Sequence, residues 1–150
     1  MVRIRMAGLA DAGLMTELRC TFLEEIGQRL EDGFADRLRS WIDEALSDGR
    51  LHIWLAELDG RVAGCAAINT YARMPSANYP NGIGWHLHNV YVKPANRKAG
   101  IAVALLSAVG AAAREQGVDV LSLHSEPSAR ALYERFGFRT SEDAMSMSLV

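Results

Sequence analysis

The sequence predicts an α/β (α+β) protein built on a mixed, mostly antiparallel sheet, and three features carry that expectation. Runs with two-residue alternation or β-branched content take turns along the chain with apolar stretches of helical spacing. An Asp59-Gly60 step between two extended runs signals a tight hairpin. A strand ending at Val92 is followed by a long helix and a further strand, a crossover that makes those two strands adjacent and parallel.

The elements follow in order. Val2 to Met6 alternates as a first strand, and Asp11 is placed to cap a helix running to about Gly27, with Leu14, Leu18, Phe22 and Ile26 on one stripe. A second helix carries Phe34, Leu38, Trp41, Ile42 and Ala45, which assigns Trp41 to the core, and Gly49 ends it. Leu51 to Leu58 pairs with Arg61 to Tyr71 through the Asp59-Gly60 turn. Arg73 to Gly84, with Pro75, Pro80 and Asn81-Gly82, is the least regular stretch, and a loop of that length is often functional. A strand follows from about Ile83 to Val92, a helix from about Ala99 to Gln116, and a strand from Val118 to His124. Ser128 to Phe138 reads as a short amphipathic helix closed by Gly137, with Phe138 returning to the core. Met145, Met147 and Leu149 alternate with serines in a last strand near Ala144 to Leu149. No repeat, linker or low-complexity tract occurs, so one domain over residues 1–150 is expected.

Composition narrows the classes. At 150 residues and 49% hydrophobic content the chain is long enough to bury a substantial core. A net charge of −2 without a concentrated basic patch argues against nucleic acid or an anionic membrane as the main partner. The longest apolar stretch, Ile101 to Ala113, contains Ser107 and Gly110 and is too short to cross a bilayer. Met1 to Arg5 leads straight into a charged, alternating pattern with no apolar signal core, so a cytoplasmic location is expected. Cys20 and Cys65 are far apart and read as buried free thiols in a reducing compartment.

The stretch from His88 to Ala102 is the most informative. Pro94 ends the strand, and Asn96-Arg97-Lys98-Ala99-Gly100 supplies two cations and a glycine directly before a helix. Unpaired N-terminal amides and a positive dipole end there suit a phosphate. Gly100 removes the Cβ that would hold a ligand away, and Ala102 keeps the approach narrow. Alone, the same pattern also describes an ordinary surface loop at a helix start. The segment Leu132-Tyr133-Glu134-Arg135-Phe136-Gly137-Phe138 adds a second signature. Together the two segments resemble the GNAT N-acetyltransferase superfamily. Arg97 to Ala102 matches its Arg/Gln-x-x-Gly-x-Gly/Ala pyrophosphate signature after a Val-x-Val-x-Pro strand end, and Leu132 to Phe138 matches its Leu-Tyr-Glu-x-x-Gly-Phe helix.

The resemblance implies the GNAT fold, with a sheet of 6-7 strands, about four helices, and the two parallel strands splayed. It also implies an acetyl-CoA-dependent N-acetyltransferase that moves the acetyl group directly to a primary amine of a small molecule or peptide, without an acyl-enzyme. Homodimers are common in the family. Coenzyme A would bond to main-chain groups at Asn89, Val90, Tyr91 and Val92, with the Val90 amide polarising the thioester carbonyl. The pyrophosphate would lie over Arg97, Lys98, Ala99, Gly100, Ile101 and Ala102, held mainly by backbone N–H groups, so the Lys98 and Ala99 side chains would matter little. A non-catalytic acyl-CoA-binding module of the same fold is the alternative.

Tyr133 occupies the slot of the family's tyrosine and is the candidate acid for the leaving thiolate; otherwise it is a packed aromatic on an amphipathic helix. Where the family often has asparagine seven residues earlier, this chain has Glu126. His86 stands eleven residues before Arg97, where several family members carry a glutamate, and is the candidate base. A core or surface histidine with a water chain is the competing account. His88 should face the same side of the strand, but a metal would need further ligands that no nearby spacing supplies, so no metal is expected. Candidate substrate residues are Phe22, Glu24, Glu25, Trp41, Tyr79 and Trp85, with Tyr79 and Trp85 expected in a pocket wall beside the glycine-rich turn. Glu24-Glu25 either attracts a cationic amine or is simply solvated. The acceptor and the preferred acyl length have no signature. A nucleotide-triphosphate loop and a Gly-x-Ser-x-Gly hydrolase elbow are both missing.

Overall fold

The computed structural model describes residues 1–150 and contains one five-stranded sheet in the order β1-β2-β3-β4-β5. β1 (Val2–Met6), β2 (Leu51–Leu58), β3 (Arg61–Ala72) and β4 (Ile83–Val92) pair antiparallel in succession. β5 (Val120–Leu123) lies parallel to β4. Helices α1 (Ala12–Glu25) and α2 (Phe34–Asp48) lie between β1 and β2 in the chain, α3 (Ile101–Glu115) makes the crossover from β4 to β5, and α4 (Arg130–Phe136) follows β5.

Local chemistry accounts for the joints. Asp59 and Gly60 both take positive φ, 52° and 76°, which is what a two-residue turn needs to match the twist of β2 and β3. Successive side chains of β2 then point to opposite layers: Ile53 and Leu55 meet α1 and α2, while Trp54 and Ala56 meet α3. With both faces covered, the middle of β2 and β3 is continuously buried. α3 fills its layer with Ile101, Leu105, Leu106, Val109 and Ala113, and the opposite layer takes Ala12, Met15, Leu18, Ile42 and Ala45. A Leu or Ile buried in this way stabilises by roughly 1.5–3 kcal/mol, so the two layers hold the sheet and its strand ends in place.

Three sequence expectations are corrected. Asp11 precedes α1 but makes no side-chain cap; Arg5 takes both carboxylate oxygens at 2.9 Å, and the Gly8 N–H donates at 2.8 Å. Trp41 is 44% exposed, with the Arg50 guanidinium 5.6 Å from its ring, because the buried face of α2 is centred on Ile42 and Ala45. Residues 144–149 form no strand, and Met145, Met147 and Leu149 are 94%, 80% and 84% exposed. Alternation permits a strand but provides no partner edge, and a short strand without one has little stability of its own. The sheet therefore has five strands where 6-7 were expected.

Candidate active site

β5 pairs with β4 only from Gly84 to Leu87, opposite Val120 to Leu123. Beyond Leu87, β4 continues without that neighbour, and a cleft of about 760 Å³ opens between β4, the start of α3, α1 and the β5–α4 connection. A bulge shapes its floor. Tyr91 stands opposite Cys65 and His88 opposite Ala67, so Asn89 and Val90 share the single position Ala66. Asn89 takes φ 52°, a left-handed conformation that asparagine tolerates better than most residues. The extra residue inverts the facing pattern: Trp85 and Leu87 face the α3 layer before it, Val90 and Val92 after it, and Tyr91 enters the α1/α2 layer. Gly64 lets the strands close here, since a Cβ would stand 2.7 Å from the Tyr91 carbonyl oxygen.

The bulge is tied on both sides. Asn89 is buried; its side-chain amide donates to Cys65 Sγ at 3.4 Å and its Oδ1 accepts from Arg19 at 3.4 Å. The Cys65 thiol donates in turn to the Asn89 carbonyl at 3.4 Å. Burial pushes the Cys65 thiol up to about 11 and also raises Cys20. Both therefore stay protonated at neutral pH and make poor nucleophiles.

The next wall is made of backbone. Lys98 and Gly100 adopt left-handed φ values of 66° and 78°, and the first bond of α3 runs from the Ala104 N–H to the Gly100 carbonyl at 3.1 Å. Consequently the N–H groups from Lys98 to Val103 donate to no backbone carbonyl, and a Cβ added at Gly100 would meet nothing within 4 Å. Such a row of free N–H groups, with open space in front of Gly100, has the chemistry to receive an anion. The Arg97 side chain is committed elsewhere: it donates to the Val92 carbonyl at 2.8 Å, pairs with Glu25 at 2.9 Å and lies 5.5 Å from the Tyr91 ring centroid. Lys98, Gly100, Ile101 and Ala102 line the cleft; the Ala99 side chain does not, and lies exposed.

Side chains make the opposite wall. His86 and His88 lie on the face opposite Trp85 and Leu87, with ring centroids 4.6 Å apart, and His124 stands 5.1 Å from His86. His86 Nδ1 is 2.8 Å from Ser122 Oγ, and His88 Nε2 is hydrogen-bonded to Asn69 Oδ1. Burial, with His124 adding to it, lowers the pKa of His86; burial and then the charges of His86 and Arg19 bring His88 down to about 4. Both rings are neutral at pH 7. Tyr133 lines the cleft from α4 and packs edge-on against Phe138 at 5.7 Å; burial raises its phenol, which stays protonated. No group of three or more His, Cys, Asp or Glu side chains is arranged to hold a metal ion.

The cleft thus brings together His86, Tyr133, Asn89 to Val92, Arg97, Lys98, Gly100 to Ala102, Phe22 and Glu25. Phe22 meets Tyr91 edge-on at 6.1 Å, and Glu25 also accepts the Tyr91 hydroxyl at 3.1 Å. Glu24 is exposed and off the wall. Trp85 is 2% exposed and stacks on His52 at 5.8 Å in the α3 layer, since its place one residue before His86 turns it away from the cleft. Tyr79 is also absent from the wall. Its ring lies 4.2 Å from the Arg73 guanidinium, in a loop that the Asp119 carboxylate anchors near the start of β5 through the Gly82 N–H at 2.7 Å.

Two ionisable side chains of the cleft, His124 and Arg19, were missed from sequence. His124 follows from the β4–β5 register, which sets Ser122 opposite His86 and carries the next residues beside the ring. Arg19 shares the 19, 22, 23, 26 spacing with Phe22, Leu23 and Ile26, all on the cleft, so a lone cation in an apolar helical stripe was the available signal.

A family model described as Acetyltransferase (GNAT) domain matches residues 49–140. No match was found among curated proteins. Among solved structures, the chain resembles a predicted acetyltransferase with acetyl-CoA from Clostridium acetobutylicum, with TM-score 0.91, 23% identity, and coverage of 99% of this chain and 97% of that one. A GCN5-related N-acetyltransferase from Ralstonia eutropha gives TM-score 0.88 at 23% identity, covering 99% of each chain. A ribosomal-protein-alanine N-acetyltransferase from Brucella melitensis gives 0.71 at 21%, covering 100% of this chain and 99% of that one. At such identities these likenesses speak for the fold.

Proposed function

The chain belongs to the GNAT acetyltransferase family, and from that premise we propose that it transfers an acetyl group from acetyl-CoA directly to a primary amine held in the cleft. The observation that carries this reading is the row of N–H groups from Lys98 to Val103, uncommitted within the protein and facing open space across a left-handed glycine. They suit the pyrophosphate of the coenzyme, while Asn89 to Val92, where β4 has lost β5, suit its amide-bearing arm. The Val90 N–H is assigned the thioester carbonyl, whose developing negative charge a fixed donor would stabilise.

His86, neutral at pH 7, takes the proton of the incoming ammonium directly or through water, so that the amine attacks with a free lone pair. If its Nδ1–H donates to Ser122, Nε2 presents the acceptor lone pair. As the nitrogen bonds to the acetyl carbon and the carbon–sulfur bond breaks, Tyr133 gives its phenolic proton to the leaving thiolate, and the second proton that the nitrogen sheds on becoming the amide returns through water to the Tyr133 phenolate. The two protonated thiols support direct transfer over an acyl-enzyme.

An amine panel with acetyl-CoA, followed by free-thiol release and mass detection of the N-acetyl product, tests the reading. One thiol per acetylated amine is expected. Tight acetyl-CoA binding without release for any amine would favour a binding module instead.

A further inference from the structure

We infer that Arg19 selects an acceptor that carries a carboxylate close to its amine, which makes the substrate class an amino acid or a similar short carboxylate-bearing amine; this rests on the acetyl-transfer reading above. Arg19 projects from α1 onto the cleft beside Phe22 and Leu23 and is half-buried. Five arginines of the chain form ion pairs, namely Arg5, Arg39, Arg50, Arg97 and Arg130, and Arg19 is not among them. Its one hydrogen bond is the long 3.4 Å contact to Asn89 Oδ1, which occupies one N–H of a five-donor guanidinium. Burial lowers its pKa, the sign of a cation with too little counter-charge, although arginine stays charged.

Nothing around it supplies that charge. Glu25 is taken by Arg97 and the Tyr91 hydroxyl, and the other carboxylate on the wall, Glu126, belongs to the β5–α4 connection and forms no ion pair or hydrogen bond with Arg19. The thiols of Cys20 and Cys65 are protonated and His88 is neutral. An incoming carboxylate can accept two parallel N–H bonds from the free edge of the guanidinium. Position then sets the length of the acceptor. Arg19 touches Asn89, the residue before Val90, so an anion bound there lies only a few bonds from an amine facing the thioester. The sequence pair Glu24-Glu25 left open a cationic acceptor; the charge left unpaired on the α1 side of the cleft has the opposite sign.

A purely structural role, in which Arg19 only buttresses the Asn89 bulge, makes a different forecast. Matched acceptor pairs separate the two: glycine against glycinamide, and β-alanine against its amide, with kcat/KM expressed per unprotonated amine. The acid is expected to exceed its amide by about tenfold or more in the native protein, the scale of a charge-assisted hydrogen bond. Arg19→Gln should bring the ratio close to one and Arg19→Lys should keep part of it. A native ratio near one, or an Arg19→Gln variant that slows acid and amide alike, overturns the inference. Thermal shift with coenzyme A plus N-acetylglycine or N-acetylglycinamide reads carboxylate recognition without turnover. A shift specific to the acid and lost in Arg19→Gln supports it even if no thiol is released, in which case acetyl transfer alone fails; turnover with no acid preference and no such shift removes the Arg19 assignment alone.

Discussion

Across the cleft, the wall from Lys98 to Val103 offers backbone N–H groups, whereas the wall formed by α1, β4 and β5 offers the side chains of Arg19, His86, His88 and His124. The first arises from one continuous stretch of chain: two left-handed residues, a glycine without a neighbour at its Cβ, and a helix start. The second is assembled from three elements distant in sequence, brought together by a bulge and a strand register. A backbone wall suits a group that every member of a substrate class shares, which on the proposed reading is a pyrophosphate. A side-chain wall can change its charge and shape residue by residue without disturbing the cradle, which suits choice of acceptor and proton transfer.

Substitutions can break this division. The largest effect is expected from Gly100→Leu, which puts a side chain into the space in front of the free amides and requires a strained left-handed leucine. Losing two or three charge-assisted bonds of roughly 1.5 kcal/mol each should weaken acetyl-CoA by about a hundredfold or more, while the strain lowers stability by only about 1–2 kcal/mol. Calorimetric titration alongside urea unfolding reads both, and unchanged affinity would remove the cradle from the site. Next, Tyr133→Phe should reduce kcat by about a hundredfold with little change in acetyl-CoA affinity. Steady-state kinetics that show turnover intact would leave Tyr133 as a packing residue against Phe138.

His86→Gln tests the opposite wall through pH. Because burial depresses the pKa of His86 below its ordinary 6.5, the neutral base form persists at neutral pH and activity falls only as pH drops through the lowered value. The variant should lose about tenfold in kcat/KM and that acidic limb with it. An acidic limb that survives the substitution assigns the proton to water. The smallest effect is expected at Lys98→Gln: if the cradle is backbone, removing an exposed cation should weaken acetyl-CoA by only about two- to fivefold, read by the same titration. A loss comparable to that of Gly100→Leu would make this wall a side-chain site as well.

The same contrast explains what the sequence disclosed. The hairpin at Asp59-Gly60 and the helix start with free N–H groups at Gly100 are each written within a few consecutive residues, the parallel crossover to β5 in the order of three consecutive elements, and all three stand in the structure. The side-chain wall depends on tertiary register. Trp85 looks like a pocket residue beside Gly84, but strand parity sends it into the α3 layer and gives the cleft to His86. Arg19 sits in an apolar stripe that reads as core, and only the bulge at Asn89 shows that the stripe faces a cleft. Ala144 to Leu149 alternates as well as β1 does, yet β1 has β2 beside it and the tail pairs with no strand.

Amide hydrogen exchange on the native protein, with and without acetyl-CoA, tests the central claim most directly. Slowed exchange of the N–H groups from Lys98 to Val103 on binding, with the buried middle of β2 unchanged, is the predicted result. Saturating acetyl-CoA that leaves those amides exchanging as fast as in the free protein would contradict it.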